Sequence, residues 1–214
     1  MAGLALLIIS TVAVVRSSVH EYVTRTIVRP PAGIEADTLK QPLNHFAALD
    51  GRSWDMRFWL DDRFFASGSG AAADRVFLSM GGEGASGPPG GQQQAIAQEL
   101  FEQDGRGVLL ASIEHRYYGE STPTGANYST ASLRYLGTAQ ALADAAAFRR
   151  HVSVTLNLSE DALWVCFGGS YSGELAAWAR LKYPHLFHAA VASSAPVTAS
   201  IDYCECFRIP TRDG

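Results

Sequence analysis

The sequence predicts an α/β fold, a mostly parallel sheet with antiparallel strands at its N-terminal edge. Three observations carry that prediction. Short apolar runs recur along the chain, at Arg75–Met80, Gly107–Ile113, Ala162–Phe167 and His188–Ala192. Between them lie stretches with helical spacing, at Gln92–Gln103, Ser132–Val152 and Leu175–Tyr183. Strands that alternate with helices are joined by crossovers, which makes the sheet parallel and covers both of its faces. The third observation is a pair of strand-like segments near the start, Leu39–Phe46 and Ser53–Leu60, with Asp50-Gly51 between them. An Asp-Gly pair favours a tight turn, so these two are expected as a hairpin at one edge of the sheet.

Each element has its own pattern. In the second strand Trp54, Met56, Phe58 and Leu60 alternate, the period-2 signature of a half-buried strand. The runs from Arg75 and Ala162 are compact, mostly apolar and end in glycine, as strands buried on both faces do. Leu133, Leu136, Ala139, Leu142, Ala143, Ala146 and Ala147 fall on one face at 3.6 residues per turn, which predicts a single long helix. Pro184 stops the helix from Leu175. Ser67–Ala73 and Gly82–Gly91 are Gly-rich loops, and Glu21–Ala36, with Pro30-Pro31, is irregular. No internal repeat interrupts this order.

Size and charge narrow the function. With 214 residues, 47% of them hydrophobic and 18% charged, the chain has material for a sizeable core. A net charge of −4 leaves no basic footprint for nucleic acid. Leu4–Val15 is apolar apart from Ser10 and Thr11, too short for a bilayer that needs ~20 residues. It fits the apolar core of a signal peptide cleaved near Ser17. The expected organisation is a signal peptide over 1–18, an irregular lead over 19–38, a folded portion over 39–202 and a divergent tail over 203–214. A secretory route without a stable membrane anchor follows. Two sequons, at Asn127 and Asn157, are candidate glycosylation sites on that route. Cys166 lies in an apolar run and reads as a buried hydrophobe, whereas Cys204 and Cys206 are too close for an easy mutual bridge.

The chemistry concentrates in Phe167-Gly168-Gly169-Ser170-Tyr171-Ser172-Gly173, between a buried strand and a helix. A turn that lifts a serine above a sheet is sharp and strained, and glycines beside it remove the Cβ atoms that would clash. Ser170 is the candidate nucleophile. The amide of Tyr171, at the helix N-terminus, is a candidate donor to the oxyanion of a tetrahedral intermediate. The spacing departs from the usual G-x-S-x-G, because the second glycine follows Ser170 by three residues. A second glycine loop, Gly81-Gly82-Glu83-Gly84, ends an earlier strand where an α/β-hydrolase places its other oxyanion amide, and Gly82 is the candidate donor there. Gly82–Gly87 matches the G-x-G-x-x-G spacing, but Pro88-Pro89 follow it where a nucleotide loop would open a helix, which argues against that reading. No cofactor and no metal site is expected.

GGEGA, EHRYYGES, LRYLGTAQALADAAAFRRHV and WVCFGGSYSGELAAWARLKYPHLFHAAVASSAPV resemble the corresponding runs of the family of lysosomal Pro-Xaa carboxypeptidase, dipeptidyl peptidase II and thymus-specific serine protease. The resemblance runs from about Gln41 to about Asp202. It implies a serine exopeptidase with Ser170 as nucleophile, cleaving peptides next to proline in acidic lysosomal or endosomal compartments or outside the cell. It leaves a homodimer of the full-length form open. Glu83 is a candidate for binding a substrate amine, with pairing to Arg116 as the alternative. His115 and Arg116 are expected in a hydrogen-bond network beneath the oxyanion loop, and Trp164 and Trp178 in the core.

A serine hydroxyl needs a base, and in this fold the chain order is Ser, then Asp or Glu, then His. His185 and His188 come too early to be that base, and Asp202 and Asp213 too early to be its partner. The sheet is therefore expected to stop before its last strands, the resemblance implies a helical cap beyond the same point, and the isolated chain is expected to be inactive. A non-catalytic fragment, or a lipase or esterase on the same scaffold, are the competing readings.

Overall fold

A computed structural model describes residues 33–65, 75–104, 107–126 and 128–198. The signal peptide, the first part of the lead, the tail, Cys204, Cys206 and Asn127 lie outside the described residues. In chain order the elements are β1 (Asp37–Pro42), β2 (Ser53–Asp61), β3 (Arg75–Ser79), α1 (Gly91–Asp104), β4 (Val108–Ile113) and β5 (Pro123–Ala126). They continue with α2 (Thr130–Leu133), α3 (Thr138–Thr155), β6 (Leu163–Gly169), α4 (Tyr171–Lys182) and β7 (Ala189–Ser193).

Six strands form one sheet in the order β1-β2-β4-β3-β6-β7. The pairs β1–β2 and β2–β4 are antiparallel; β4–β3, β3–β6 and β6–β7 are parallel. The expected architecture is the one found. Its centre is β3, where Leu78 stands opposite Ala111 on one side and Cys166 on the other. Alternate residues serve alternate faces. Val76, Leu78, Leu109, Ala111, Trp164 and Cys166 face α3 and α4, while Phe77, Leu110 and Phe167 face α1. Fully buried Phe148 bridges α3 to the sheet, its ring 5.2 Å from Phe58 and 6.4 Å from Trp164. Trp164 is completely buried and Trp178 packs against the same cluster.

Two expectations change. The first strands do pair, but β1 ends at Pro42 and the connection to β2 runs through residues 43–52 rather than a two-residue turn. The amide of Leu43 still donates to Arg52 O (2.9 Å), after which the chain leaves the sheet so that His45 can turn inward. Asp50 is engaged by the Arg52 guanidinium (2.6 and 2.7 Å). The single long helix is two: α2 stops at Leu133, and Gly137, in extended conformation (φ −156°, ψ 147°), begins α3. Leu136 and Ala139 are exposed, contrary to the seven-residue face read from periodicity. The buried stripe of α3 is Ala141, Leu142, Ala145, Phe148 and Val152, with Asp144 among them.

Candidate active site

The site is built where β6 hands over to α4. Burial of Trp164, Cys166 and Phe167 fixes the strand, and α4 begins at Tyr171 with a single residue between them. That residue, Ser170, takes φ 55° and ψ −128°, a region that an L-residue avoids at a cost of ~1–3 kcal/mol. Neighbouring bonds hold it there. The Ser170 amide donates to Ser193 O at the end of β7 (3.0 Å), and Ser170 O accepts from the Glu174 amide (3.0 Å). The Ser172 hydroxyl closes the turn, accepting from the Gly169 amide (2.9 Å) and donating to Gly169 O (2.8 Å).

The glycines divide into required and permitted. A Cβ at Gly168 would lie 2.1 Å from Ser172 O and 2.6 Å from the Gly173 nitrogen. At Gly173 it would meet Ala195 Cβ at 3.0 Å. At Gly169 the nearest atom would be 3.8 Å away. The close approach of helix to strand therefore needs Gly168 and Gly173. The position two after Ser170, usually glycine, has room for a side chain and holds Ser172. This accounts for the unusual spacing. Ser170 is exposed, and its hydroxyl has no hydrogen-bond partner among the described residues.

The loop after β3 reaches the same place. The Met80 amide donates to Phe167 O (2.9 Å), tying the two strand ends together. Gly81 is pressed on the end of β4, where a Cβ would come within 2.5 Å of the His115 nitrogen. Gly82 follows against α4, its Cβ position 3.5 Å from Ser172 Cβ and 3.9 Å from the Ser172 nitrogen. Glu83 is exposed, and its charge reaches His115, Tyr171 and Glu174. Burial, with Glu83 second, lifts the Glu174 carboxyl above its ordinary value.

Beneath the loop the EHR triplet is fully interior. Glu114 accepts from the amides of Ser86 (3.0 Å), Glu120 (3.1 Å) and Ser121 (3.0 Å), stitching the glycine loop to the turn at residues 117–121. Gly119, at φ +56°, lies over that carboxylate; a Cβ there would come within 2.0 Å of Glu114 Oε1. His115 Nδ1 lies 2.7 Å from Arg116 O, an acceptor only, so Nδ1 carries the proton. Nε2 of the neutral ring is then the acceptor for the Tyr171 hydroxyl at 3.0 Å. Burial holds the His115 imidazole below its ordinary value and the Tyr171 phenol above its own. Arg116 forms a bidentate pair with Asp144 (2.7 and 2.8 Å) and donates to Leu43 O and Tyr135 O (3.1 Å each). Asp144 also bonds His45 Nε2 at 2.6 Å. Arg116 is thus taken by Asp144, which removes it as the partner considered for Glu83.

Ser170, Tyr171, Gly82 and Glu83 converge at the C-terminal ends of β6 and β3. The two late histidines do not join them. His188 Nδ1 accepts the Trp164 amide (3.2 Å) at the opposite end of β6, ~16 Å from the turn at about 3.3 Å per residue. His185 is exposed in the α4–β7 connection. Asn157 is exposed, with φ 49°, just past α3. Asp144 and His45 were missed from the sequence. The available signal was one carboxylate in the alanine-rich face of a helix, which folded chains bury only with a partner. Among the described residues no group of side chains is arranged to hold a metal ion, and no helix is long and apolar enough to cross a membrane.

A serine raised off the end of a parallel strand by its own backbone, facing a glycine loop from the neighbouring strand, defines an α/β-hydrolase. Comparison with known sequences narrows that class. The chain belongs to the serine carboxypeptidase S28 family, whose pattern matches residues 41–212. It is 46% identical over 168 residues to the thymus-specific serine protease of Mus musculus, covering 77% of this chain and 31% of that protein. To the lysosomal Pro-X carboxypeptidase of Homo sapiens it is 34% identical over 172 residues, covering 78% of this chain and 33% of the relative. The chain thus spans about a third of the length of the curated relatives it matches. Among solved structures it is similar to a post-proline cleaving enzyme from Rickettsia typhi, with a TM-score of 0.49, 16% identity, and coverage of 76% of this chain and 21% of that one.

Proposed function

We propose that this chain carries the nucleophile and oxyanion cradle of a serine exopeptidase that cleaves peptides beside proline. Ser170 Oγ attacks the scissile carbonyl carbon, and the oxyanion that forms accepts hydrogen bonds from the amides of Tyr171 and Gly82. Collapse breaks the C–N bond, the leaving amine takes a proton, and water releases the acyl group from Ser170. Tyr171 is the first residue of α4, so its N–H has no partner within the helix and points toward incoming negative charge. A donor of this kind contributes ~2.7–4 kcal/mol to such transition states. The observation that carries the reading is the backbone of Ser170, held at φ 55° and exposed beside the glycine loop.

We take the base for the Ser170 proton, and the carboxylate behind it, to lie outside the described residues, and expect the described residues alone to be inactive. The Pro-X carboxypeptidase relatives support a preference for proline and a secretory or lysosomal setting, and the sequons support glycosylation at Asn127 and Asn157. Glu83 is assigned to the substrate amine. A chimera tests the reaction class: this chain through Pro196, continued by the corresponding remainder of the mouse thymus-specific serine protease. It should hydrolyse a proline-containing dipeptide amide far faster than a short-chain ester. Ester hydrolysis alone would make the scaffold an esterase.

A further inference from the structure

On the α1 side of the serine turn, the ends of β3, β6 and β7 and the first turn of α1 line an open pocket of about 300 Å³. That is the lower end of the range for small-ligand pockets. Gly169 and Ser172 form its border with the turn, and Met80, Phe167 and Val191 supply apolar wall. Gln93 lines it too and is only 3% exposed, yet neither Oε1 nor Nε2 of its carboxamide has a hydrogen-bond partner among the described residues. Gln94 beside it also leaves Oε1 unpartnered. A buried amide without partners is unfavourable, and folded chains keep few of them. Here the unpaired donor and acceptor, both shut off from solvent, sit side by side behind the wall of a pocket that borders the turn at Ser170. Tyr171 packs with the cluster on the opposite face, so the pocket and Tyr171 lie on two sides of the turn.

We propose that this pocket is a peptide-binding subsite in which Gln93 pairs with one residue of an extended peptide. In extended backbone the N–H and C=O of a residue point the same way, as in the hydrogen-bonded pairs of an antiparallel ladder. The Gln93 carboxamide turns into the pocket to do so: Oε1 accepts from that N–H and Nε2 donates to that C=O, and rotation of the amide by half a turn accommodates the reverse direction. Met80, Phe167 and Val191 then bound a small apolar side chain. The placement of this residue next to a scissile bond rests on the peptidase reading; the binding itself does not.

Titration of the ¹⁵N-labelled chain with acetyl-Ala-Ala-N-methylamide, a neutral peptide with no reactive group, tests the subsite. The Gln93 side-chain NH₂ resonances and the amides of Gly169 and Ser193 should shift along one saturable curve. Gln93→Met keeps the shape and removes both polar atoms, so it should fold at least as well and bind at least 10-fold more weakly. Ser170→Ala should bind unchanged, which separates failure of the nucleophile from failure of the subsite. Absence of saturable shifts at Gln93, or equal binding by the Gln93→Met chain, would overturn the proposal.

Discussion

Gly168 and Gly169 are adjacent and identical in the sequence, yet alanine at the two positions should behave in opposite ways. At Gly168 the new methyl would sit 2.1 Å from Ser172 O, 2.3 Å from its carbonyl carbon and 2.6 Å from the Gly173 nitrogen. These are backbone atoms of the first turn of α4, so no rotamer change relieves the contact. The turn must retreat by ~1 Å to restore an ordinary distance in a close-packed interior. Overpacking typically costs 1–3 kcal/mol where side chains can give way, and backbone resistance puts Gly168→Ala at about 3 kcal/mol or more. At Gly169 the nearest atom to the new methyl is 3.8 Å away. The substitution should fall within about 0.5 kcal/mol of the parent, or gain slightly from a stiffer unfolded chain. Urea titration followed by fluorescence of the buried Trp54 and Trp164 measures both. Equal midpoints for the two variants would refute the packing argument for the serine turn.

Other outcomes follow from the same structure. Asp144→Ala leaves the buried Arg116 guanidinium without its bidentate partner and should cost ~3–5 kcal/mol in the same titration. Because burial holds the His115 imidazole below its ordinary 6.5, the unfolded chain takes up this proton first as pH falls. The stability contributed by this group is complete above about pH 6.5 and is lost below it, so urea midpoints taken from pH 7.5 to 5 should fall less steeply for His115→Gln than for the parent. Ser170→Gly relieves the strained φ and should raise stability by ~1 kcal/mol, measured by urea titration. The Cys166 thiol is fully buried, which pushes its pKa up. It should react with a thiol reagent only as fast as the chain unfolds, so rapid modification mapped to Cys166 in the native chain would contradict its burial.

The fold was legible where the physics is local. Glycine-bounded apolar runs such as Arg75–Met80 and Ala162–Phe167 mark strands buried on both faces, and the structure places them side by side at the centre of the sheet. The long helix was misread because Leu136 and Ala139 match its period, while Gly137 between them is extended and starts a new helix. Periodicity counts apolar positions but does not weigh one backbone residue outside the helical region. The first hairpin was misread in a similar way. Asp-Gly favours a tight turn, but the inward pull of His45 on Asp144, 99 positions away, keeps the connection long. At the site, the placement of Ser170, Tyr171 and Gly82 at two strand ends was readable because strand–turn geometry constrains residue type within a few positions. The contact of His115 with Tyr171 joins the end of β4 to the start of α4, and no spacing within either segment records it.

The central claim is that Ser170, fixed in its strained turn before the Tyr171 and Gly82 amides, is the group that attacks the substrate. Mass mapping after exposure of the chimera to a fluorophosphonate tests it directly. One phosphonyl adduct, on the peptide containing Ser170 and absent from the Ser170→Ala form, is the predicted result, with negligible adduct on the isolated chain. A folded chimera modified at another residue, or at none, would contradict the account.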